Sequence, residues 1–409
     1  MPVLSLRVLT ASALLVLLLL LHCVFKAGPS ATQLPAKWHV APELDLALLD
    51  GSARYAAHTF LVKGSRWSAL AGSAAAIATH SSLEHLHWLA HTASSWTGPL
   101  SVAVFAPGAS FHFAACYIDH LRTCHPSVRE KVSFHVVSPV DRPPALLDRA
   151  CAVQLTECNR DPRTALGEVV RLRDEVASSG QEHAVYPQNL LRNLARRTCP
   201  TRHVLTVDVD MVFPSESMSL QLQEFLSRQD NCSRCAFVLP VYEVSNSVGA
   251  MPENKTGLIS LVTGKLARPY HVQVFNLNQG KSNLARWEKI EQTPSERVAY
   301  RVHNYQLFYE PIYVSARTAP LYDERFVGYG NTRNTQTYEM HLAGWTFHVL
   351  SNTFLVHWGF QTPSMRNTTW RLQQQEENAR RFVGFLREMT ARYNKDPLNM
   401  LKRVPKKEG

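Results

Sequence analysis

Two carboxylates, Asp208 and Asp210, stand one residue apart at the end of the run His203-Val204-Leu205-Thr206-Val207, and Met211-Val212-Phe213-Pro214 follows them. On an extended backbone alternate side chains share a face, so the two can converge on one point. Paired hard oxygen ligands suit Mg²⁺ or Mn²⁺, and an ion half-coordinated by protein commonly completes its shell from a diphosphate. The carboxyl end of a buried strand is also where α/β sheets bind ligands. Asp-x-Asp alone equally describes a strand end with an Asx turn. The neighbouring elements decide between the two.

Three strand and helix units precede the pair. Ala74–His80, Leu100–Phe105 and Val132–Val137 read as short apolar strands. Leu83, Leu86, Leu89 and Ala90, then Phe111–Leu121, then Arg163–Ser178 carry helical apolar spacing. Asn189–Arg197 adds an amphipathic helix that leads into the Asp208 strand. This alternation predicts an α/β fold with a central, mostly parallel sheet and right-handed crossovers. No Gly-x-Gly-x-x-Gly or P-loop occurs, so a metal on Asp208 and Asp210 would take over phosphate binding. The second half is less regular. Strands are expected at Cys235–Tyr242, Tyr309–Val314, Thr346–Leu350 and Phe354–Phe360, a short helix from Glu339, and a terminal helix over Asn378–Tyr393.

The chain of 409 residues, 45% hydrophobic and 19% charged, has the composition of a globular protein with a sizeable core. Its net charge of +10 comes from scattered cations, apart from Lys402, Arg403, Lys406 and Lys407. No basic stripe interleaved with aromatics exists, which argues against nucleic acid. Val8–Phe25 is uncharged over 18 residues between Arg7 and Lys26, long enough to span a bilayer. We read it as a type II signal anchor (8–25) after a cytoplasmic tail (1–7), in preference to a cleaved signal peptide. A stem (26–73), a folded domain (74–393) and a basic tail (394–409) then lie in the secretory lumen. Sequons at Asn231, Asn254 and Asn367 agree with that compartment. Seven cysteines beyond the anchor cannot all pair, so at least one is free or intermolecular. Cys232-Ser-Arg-Cys235 lacks a second ligand pair, which favours a local disulfide or unrelated thiols over a metal site.

Several segments, in order, resemble the β-1,4-glucuronyltransferase family, which includes the glucuronyltransferase half of the matriglycan-synthesising bifunctional enzymes. They are Ala78-Thr79-His80, Gly98–Val102, Asn189–Arg196, Asp208–Val212, Asp323–Phe326, Tyr329-Gly330, Glu339-x-His341 and Leu355–Phe360. The resemblance runs from about 74 to 393. It implies a Golgi type II membrane enzyme of the GT-A fold that moves glucuronic acid, with inversion, from UDP-glucuronic acid to a β-xylose acceptor. In that family the product primes the laminin-binding glycan of α-dystroglycan. By motif position, Asp208, Asp210 and His357 would hold Mn²⁺, and imidazole suits Mn²⁺ better than Mg²⁺. Thr79 and His80 would lie at the uridine, and Arg192 and Asn193 at the diphosphate or sugar.

An inverting transfer needs a base for the acceptor hydroxyl proton, and Asp323, Glu324 and Glu339 are the acids of the matched polar segment. Each is equally readable as a salt-bridged surface acid. Arg333 could pair with the glucuronate carboxylate, which a guanidinium fork matches. Trp358 stands where the family has Lys, and a family Cys-x-x-Cys is missing around His271–Asn278. Those departures keep open another donor (UDP-xylose, UDP-N-acetylglucosamine or UDP-galactose). A non-catalytic partner of another Golgi glycosyltransferase is the remaining alternative, and three retained metal ligands argue against it.

Overall fold

In a computed structural model the described residues are 51–147, 157–177, 184–229, 231–363 and 368–403. The expected anchor, the sequon Asn367 and the last residues of the basic tail lie outside them. Among the described residues no helix is long and apolar enough to cross a membrane.

A nine-stranded sheet runs in the order β1 (Tyr55–Val62), β4 (Val132–Pro139), β3 (Leu100–Phe105), β2 (Ala75–Ser81), β5 (His203–Thr206), β11 (Ile312–Ala316), β7 (Cys235–Leu239), β12 (Thr346–Leu350), β10 (Val298–Arg301). Its β4-β3-β2-β5 half is parallel, as the alternation predicts. β2, β3 and β4 are buried along their whole length, which explains their continuous apolar runs. The helices α1 (Trp88–Ser95), α2 (Ser110–Cys124), α3 (Pro162–Ala177) and α4 (Gln188–Thr198) fall near their expected positions. Leu190, Leu191, Leu194 and Ala195 of α4 pack on Ala76, Ala78, Ala103 and Val204 of the sheet.

The sheet is mixed, not mostly parallel. β11 is antiparallel to both β5 and β7, and β1 and β10 are antiparallel at the two edges. β11 follows a span of short helices and strands, among them the helix Lys255–Thr263 and the edge strand β10, and not a single crossover helix, so nothing obliges it to run parallel. The folded domain also starts earlier than residue 74. Tyr55, Ala56 and Ala57 are buried where β1 pairs with β4, so this part of the expected stem belongs to the sheet. The single strand expected over Cys235–Tyr242 is two, because Pro240 cannot donate to a ladder and breaks it into β7 and β8 (Val241–Val244).

β8 belongs to a second sheet of four strands, β6 (Met211–Val212), β13 (Leu355–Trp358), β8, β9 (Ala267–Pro269). The chain thus crosses from the large sheet to the small one three times, through Val207–Asp210, at Pro240 and through Ser351–Phe354. Helix α5 (Asn334–Leu342) and the terminal helix α6 (Thr369–Tyr393), longer than expected at its start, close the domain. Phe382, Phe385, Leu386 and Met389 of α6 pack on Phe326, Tyr338 and Leu342, each contributing about 1.5–3 kcal/mol of apolar burial.

Disulfides join Cys124 to Cys158 and Cys232 to Cys235, and Cys116 is also disulfide-bonded. Cys199 is a buried free thiol, as the odd cysteine count requires.

Candidate active site at the crossing between the two sheets

Asp208 and Asp210 sit in the short link from β5 to β6, with Met211 N–H donating to the Asp208 carbonyl at 3.0 Å. The link therefore turns just as the two carboxylates leave the large sheet. Three donors converge on Asp208 Oδ1: Arg333 Nη2 at 2.6 Å, His80 Nε2 at 3.1 Å and Arg192 Nη2 at 3.2 Å. His80 comes from the end of β2, Arg192 from α4 and Arg333 from the residue before α5. Burial alone would raise the Asp208 carboxyl. The Arg333 and Arg192 guanidiniums and the His80 hydrogen bond outweigh it and hold Asp208 well below the usual carboxylate range.

An ionised Asp208 can only accept, so His80 must carry its proton on Nε2. Its Nδ1 then accepts from the Tyr186 hydroxyl at 2.8 Å. Burial lowers the His80 pKa despite the Asp208 bond, which keeps the imidazole neutral at pH 7. Thr79 beside it is buried with an unpartnered Oγ1, and Arg192 Nε and Asn334 Oδ1 are likewise buried without a partner. Arg192 Nε belongs to the guanidinium that meets Asp208, and Asn334 follows Arg333, so these two unmet atoms border the Asp208 cluster and are what a polar ligand would satisfy. Thr79 alternates with His80 and faces the other side of β2.

Asp210 faces the other way, toward the small sheet. In the β13–β6 register His357 lies opposite Met211, and its Nε2 is 3.5 Å from Asp210 Oδ2. His357 Nδ1 donates to the Gly359 carbonyl at 3.1 Å, which fixes the tautomer. An Nδ1–H held by a carbonyl is how metal-ligating histidines are commonly oriented. The Nε2 of His357 meets the Gln361 side-chain amide at 3.2 Å, a contact that an ion at Nε2 would displace. Behind it, Glu243 is fully buried and accepts from Arg268 Nε, His271 N–H and Gln361 N–H. Glu243 is the cross-strand neighbour of His357, so this cluster fixes the frame in which the imidazole sits. Among the described residues no three His, Cys, Asp or Glu side chains enclose a metal as they stand. Asp208 Oδ1 is turned to Arg333, Arg192 and His80. Two carboxylates and a pre-oriented imidazole nevertheless fit a divalent ion of the Mn²⁺ kind.

Other sequence candidates are placed elsewhere. Asn193 clamps the Tyr322–Glu324 segment: its Nδ2 donates to Tyr322 O and Glu324 Oε1, and its Oδ1 accepts from Tyr322 N–H. Asp323 is held by Arg325, which also bridges to Glu388. Glu324 is bonded by Asn193 and lies 3.8 Å from Arg197. Glu339 accepts from Arg392 and Tyr393 of α6. None of the three acids bonds to the Asp208 cluster. Of the sequons, Asn231 and Asn254 are exposed, and Asn254 caps the helix Lys255–Thr263 through its Oδ1, which accepts from Gly257 N–H.

Glu310 was missed. It accepts from the Asn334 backbone N–H and lies in the field of Arg333, Arg192 and Asp208. Burial pushes its carboxyl up, and the two arginines oppose that only in part. Strand register in the fold is what places it. β11 runs antiparallel to β5 with Val314 opposite Leu205, so the strand's approach puts Glu310 level with the Asp208–Asp210 link.

The sequence matches the family "Glycosyl-transferase for dystroglycan" over residues 75–394. A curated relative from Danio rerio, β-1,4-glucuronyltransferase 1, is 31% identical over 378 residues, covering 89% of this chain and 86% of its own. The Homo sapiens protein of that name is 32% identical over 365 residues, 86% of this chain and 82% of its own. The xylosyl- and glucuronyltransferase LARGE1 of Homo sapiens is 28% identical over 196 residues, 48% of this chain and 25% of its own. Among solved structures, S. aureus TarS aligns with a TM-score of 0.36 and 11% identity, over 78% of this chain and 39% of that one.

Proposed function

The chain belongs to the family of glycosyltransferases for dystroglycan, and we propose that it transfers glucuronic acid from UDP-glucuronic acid to a terminal β-xylose, forming a β-1,4 bond with inversion. What carries this reading is the likeness to β-1,4-glucuronyltransferases over most of both chains. A GT-A fold around the Asp208–Asp210 link is part of the same reading.

Asp208, Asp210 and His357 would hold Mn²⁺, together with the donor diphosphate. When bound, the ion supplies Lewis-acid stabilisation to the departing UDP. Arg192 and Arg333 hold two guanidiniums at the same point, where negative charge grows as the glycosidic bond to phosphate breaks. The unpartnered Arg192 Nε and Asn334 Oδ1 are the atoms at this cluster that a donor's oxygens and hydroxyls would satisfy. His80, fixed by Tyr186 and Asp208, packs the floor beside them.

Glu310 is the carboxylate best suited to be the base. It takes the xylose hydroxyl proton while that oxygen bonds to C1 and UDP leaves from the opposite face. A base works best with its pKa moved toward the working pH, which is the direction burial pushes Glu310. Asp323, Glu324 and Glu339 are already neutralised by arginines.

We place the enzyme in the Golgi membrane through Val8–Phe25, with the domain in the lumen and a second Golgi glycosyltransferase as a candidate partner. The deciding experiment is a donor screen: each UDP-sugar with Mn²⁺ and a β-xyloside, with the product identified by mass. Glucuronate incorporation is expected. Transfer of another sugar in its place would overturn the donor assignment.

A further inference from the structure

The start of α6 carries an arrangement that the fold does not need. Trp370 is 49% exposed, and its ring meets Tyr329 edge-on with centroids 5.4 Å apart. Arg371 lies over the Tyr329 ring at 4.2 Å and donates from Nη2 to the Tyr329 hydroxyl at 2.8 Å. Leaving half of an indole in water forgoes burial that a structural tryptophan would take, so the exposed face invites a ligand.

The platform is rigid. Asn378 Nδ2 donates to the carbonyls of Val327 and Tyr329, and Gln374 Oε1 accepts from Tyr329 N–H at 3.0 Å. Gly328 adopts φ +74°, and a Cβ there would lie 2.3 Å from Gln374 Oε1. Only glycine lets the loop sit this close to α6. The same loop continues through Asn331 and Thr332 to Arg333, whose guanidinium is on Asp208. Four Cα steps bound the separation of Tyr329 and Arg333 at about 15 Å. On its other side, Gly328 N–H donates to the carbonyl of Tyr186, whose hydroxyl is on His80. One clamped segment therefore joins the aromatic pair to the donor anchor.

We propose that Trp370 and Tyr329 form an acceptor-side subsite that stacks a pyranose ring of the glycan being extended. Pyranoses present flat C–H faces that pack on aromatic rings, and a rigid indole needs little ordering to receive one. The proposal rests on the glycosyltransferase reading, and it concerns the acceptor, not which sugar the donor carries. A protein partner would use the same residue types, but the exposed large hydrophobics of α6, Trp370 and Leu372, offer too small an area for a stable interface.

The test uses the full chain with Trp370→Ala and Trp370→Phe. Stacking worth one aromatic pair predicts that Trp370→Ala raises the KM for a xylose-ended oligosaccharide about 3- to 10-fold. The KM for the UDP-sugar, its slow hydrolysis without acceptor, and the melting temperature should not change. Trp370→Phe should recover most of the loss. In parallel, the acceptor alone is titrated while tryptophan fluorescence is followed, and the shift seen in the natural chain should be absent in Trp370→Phe. That titration needs no donor, so a failed glucuronate transfer with an intact shift sinks the donor assignment and leaves the subsite standing. An unchanged acceptor KM in Trp370→Ala overturns the subsite, as does an equal rise in donor KM. Loss of a co-purifying protein with unchanged kinetics overturns it in favour of an interface.

Discussion

Arg333 and Asp208 are 125 residues apart in the chain and 2.6 Å apart in the fold. The pair ties the segment before α5 to the exit of β5, and Arg192 joins them from α4. Asp208 is thus both a candidate ligand and the counter-charge of two buried guanidiniums.

That double role separates the two aspartates. Asp208→Ala leaves Arg192 and Arg333 buried without their carboxylate, a loss of about 3–5 kcal/mol. Asp210→Ala removes a half-open partner of His357 and should cost under about 1 kcal/mol. Both should abolish transfer. Denaturant unfolding in metal-free buffer checks the difference, and equal stabilities would contradict it. The sign with pH follows from the depressed Asp208 carboxyl. Its contribution is complete at neutral pH and is lost only as pH falls through a folded pKa well below the usual range.

Glu310→Gln should lower kcat about 10²- to 10⁴-fold while leaving UDP affinity intact. It should also stabilise the fold. A carboxyl whose folded pKa is raised binds more protons in the native state than in the unfolded one, so stability falls as pH rises past the unfolded pKa. Glutamine removes that loss and keeps an acceptor for Asn334 N–H. In the natural enzyme the acid limb of the kcat/KM profile should lie above that of an ordinary glutamate. A pH profile and a melting curve of Glu310→Gln test both halves.

Chelation should weaken UDP binding, and Mn²⁺ should restore it. His357→Ala should weaken the Mn²⁺-dependent part about tenfold or more. Calorimetric titration of UDP, with and without the ion, reads this without turnover. UDP binding indifferent to Mn²⁺ would remove the metal from the proposal.

Asn193 gives a structural contrast. Asn193→Ala breaks three bonds to the Tyr322–Glu324 segment and should cost about 1–3 kcal/mol. Donor KM should move little if the asparagine faces that segment and not the sugar. A large donor effect with unchanged stability would reverse the assignment.

The sequence announces its local features well. The parallel half of the sheet, α4 and the Asp208 link follow from apolar periodicity and from charges at a strand end. What it conceals is non-local. Nothing near Arg333 says that it will meet Asp208, because the contact depends on how β11 returns between β5 and β7. Glu310 was invisible for the same reason. β1 is not legible in the sequence because an edge strand with polar His58 and Thr59 looks like a connecting segment until its partner β4 is known. The acids at 323, 324 and 339 read as catalytic by segment, and the signal against them is their arginine partners: Arg325 two residues from Asp323, Arg197 on α4 and Arg392 on α6.

The antiparallel return of β11 has a consequence in time. β5 finds β2 on one side as soon as it is made, but its other edge waits for a strand roughly 110 residues later. At about 5–20 residues per second the ribosome leaves that edge bare for several seconds. Asn231 and Asn254 emerge within the interval. If the domain enters the secretory lumen as proposed above, the nascent chain meets the glycosylation machinery with its central sheet still open and Asp208 not yet neutralised by Arg333. Chaperone dependence during synthesis should be concentrated in that window.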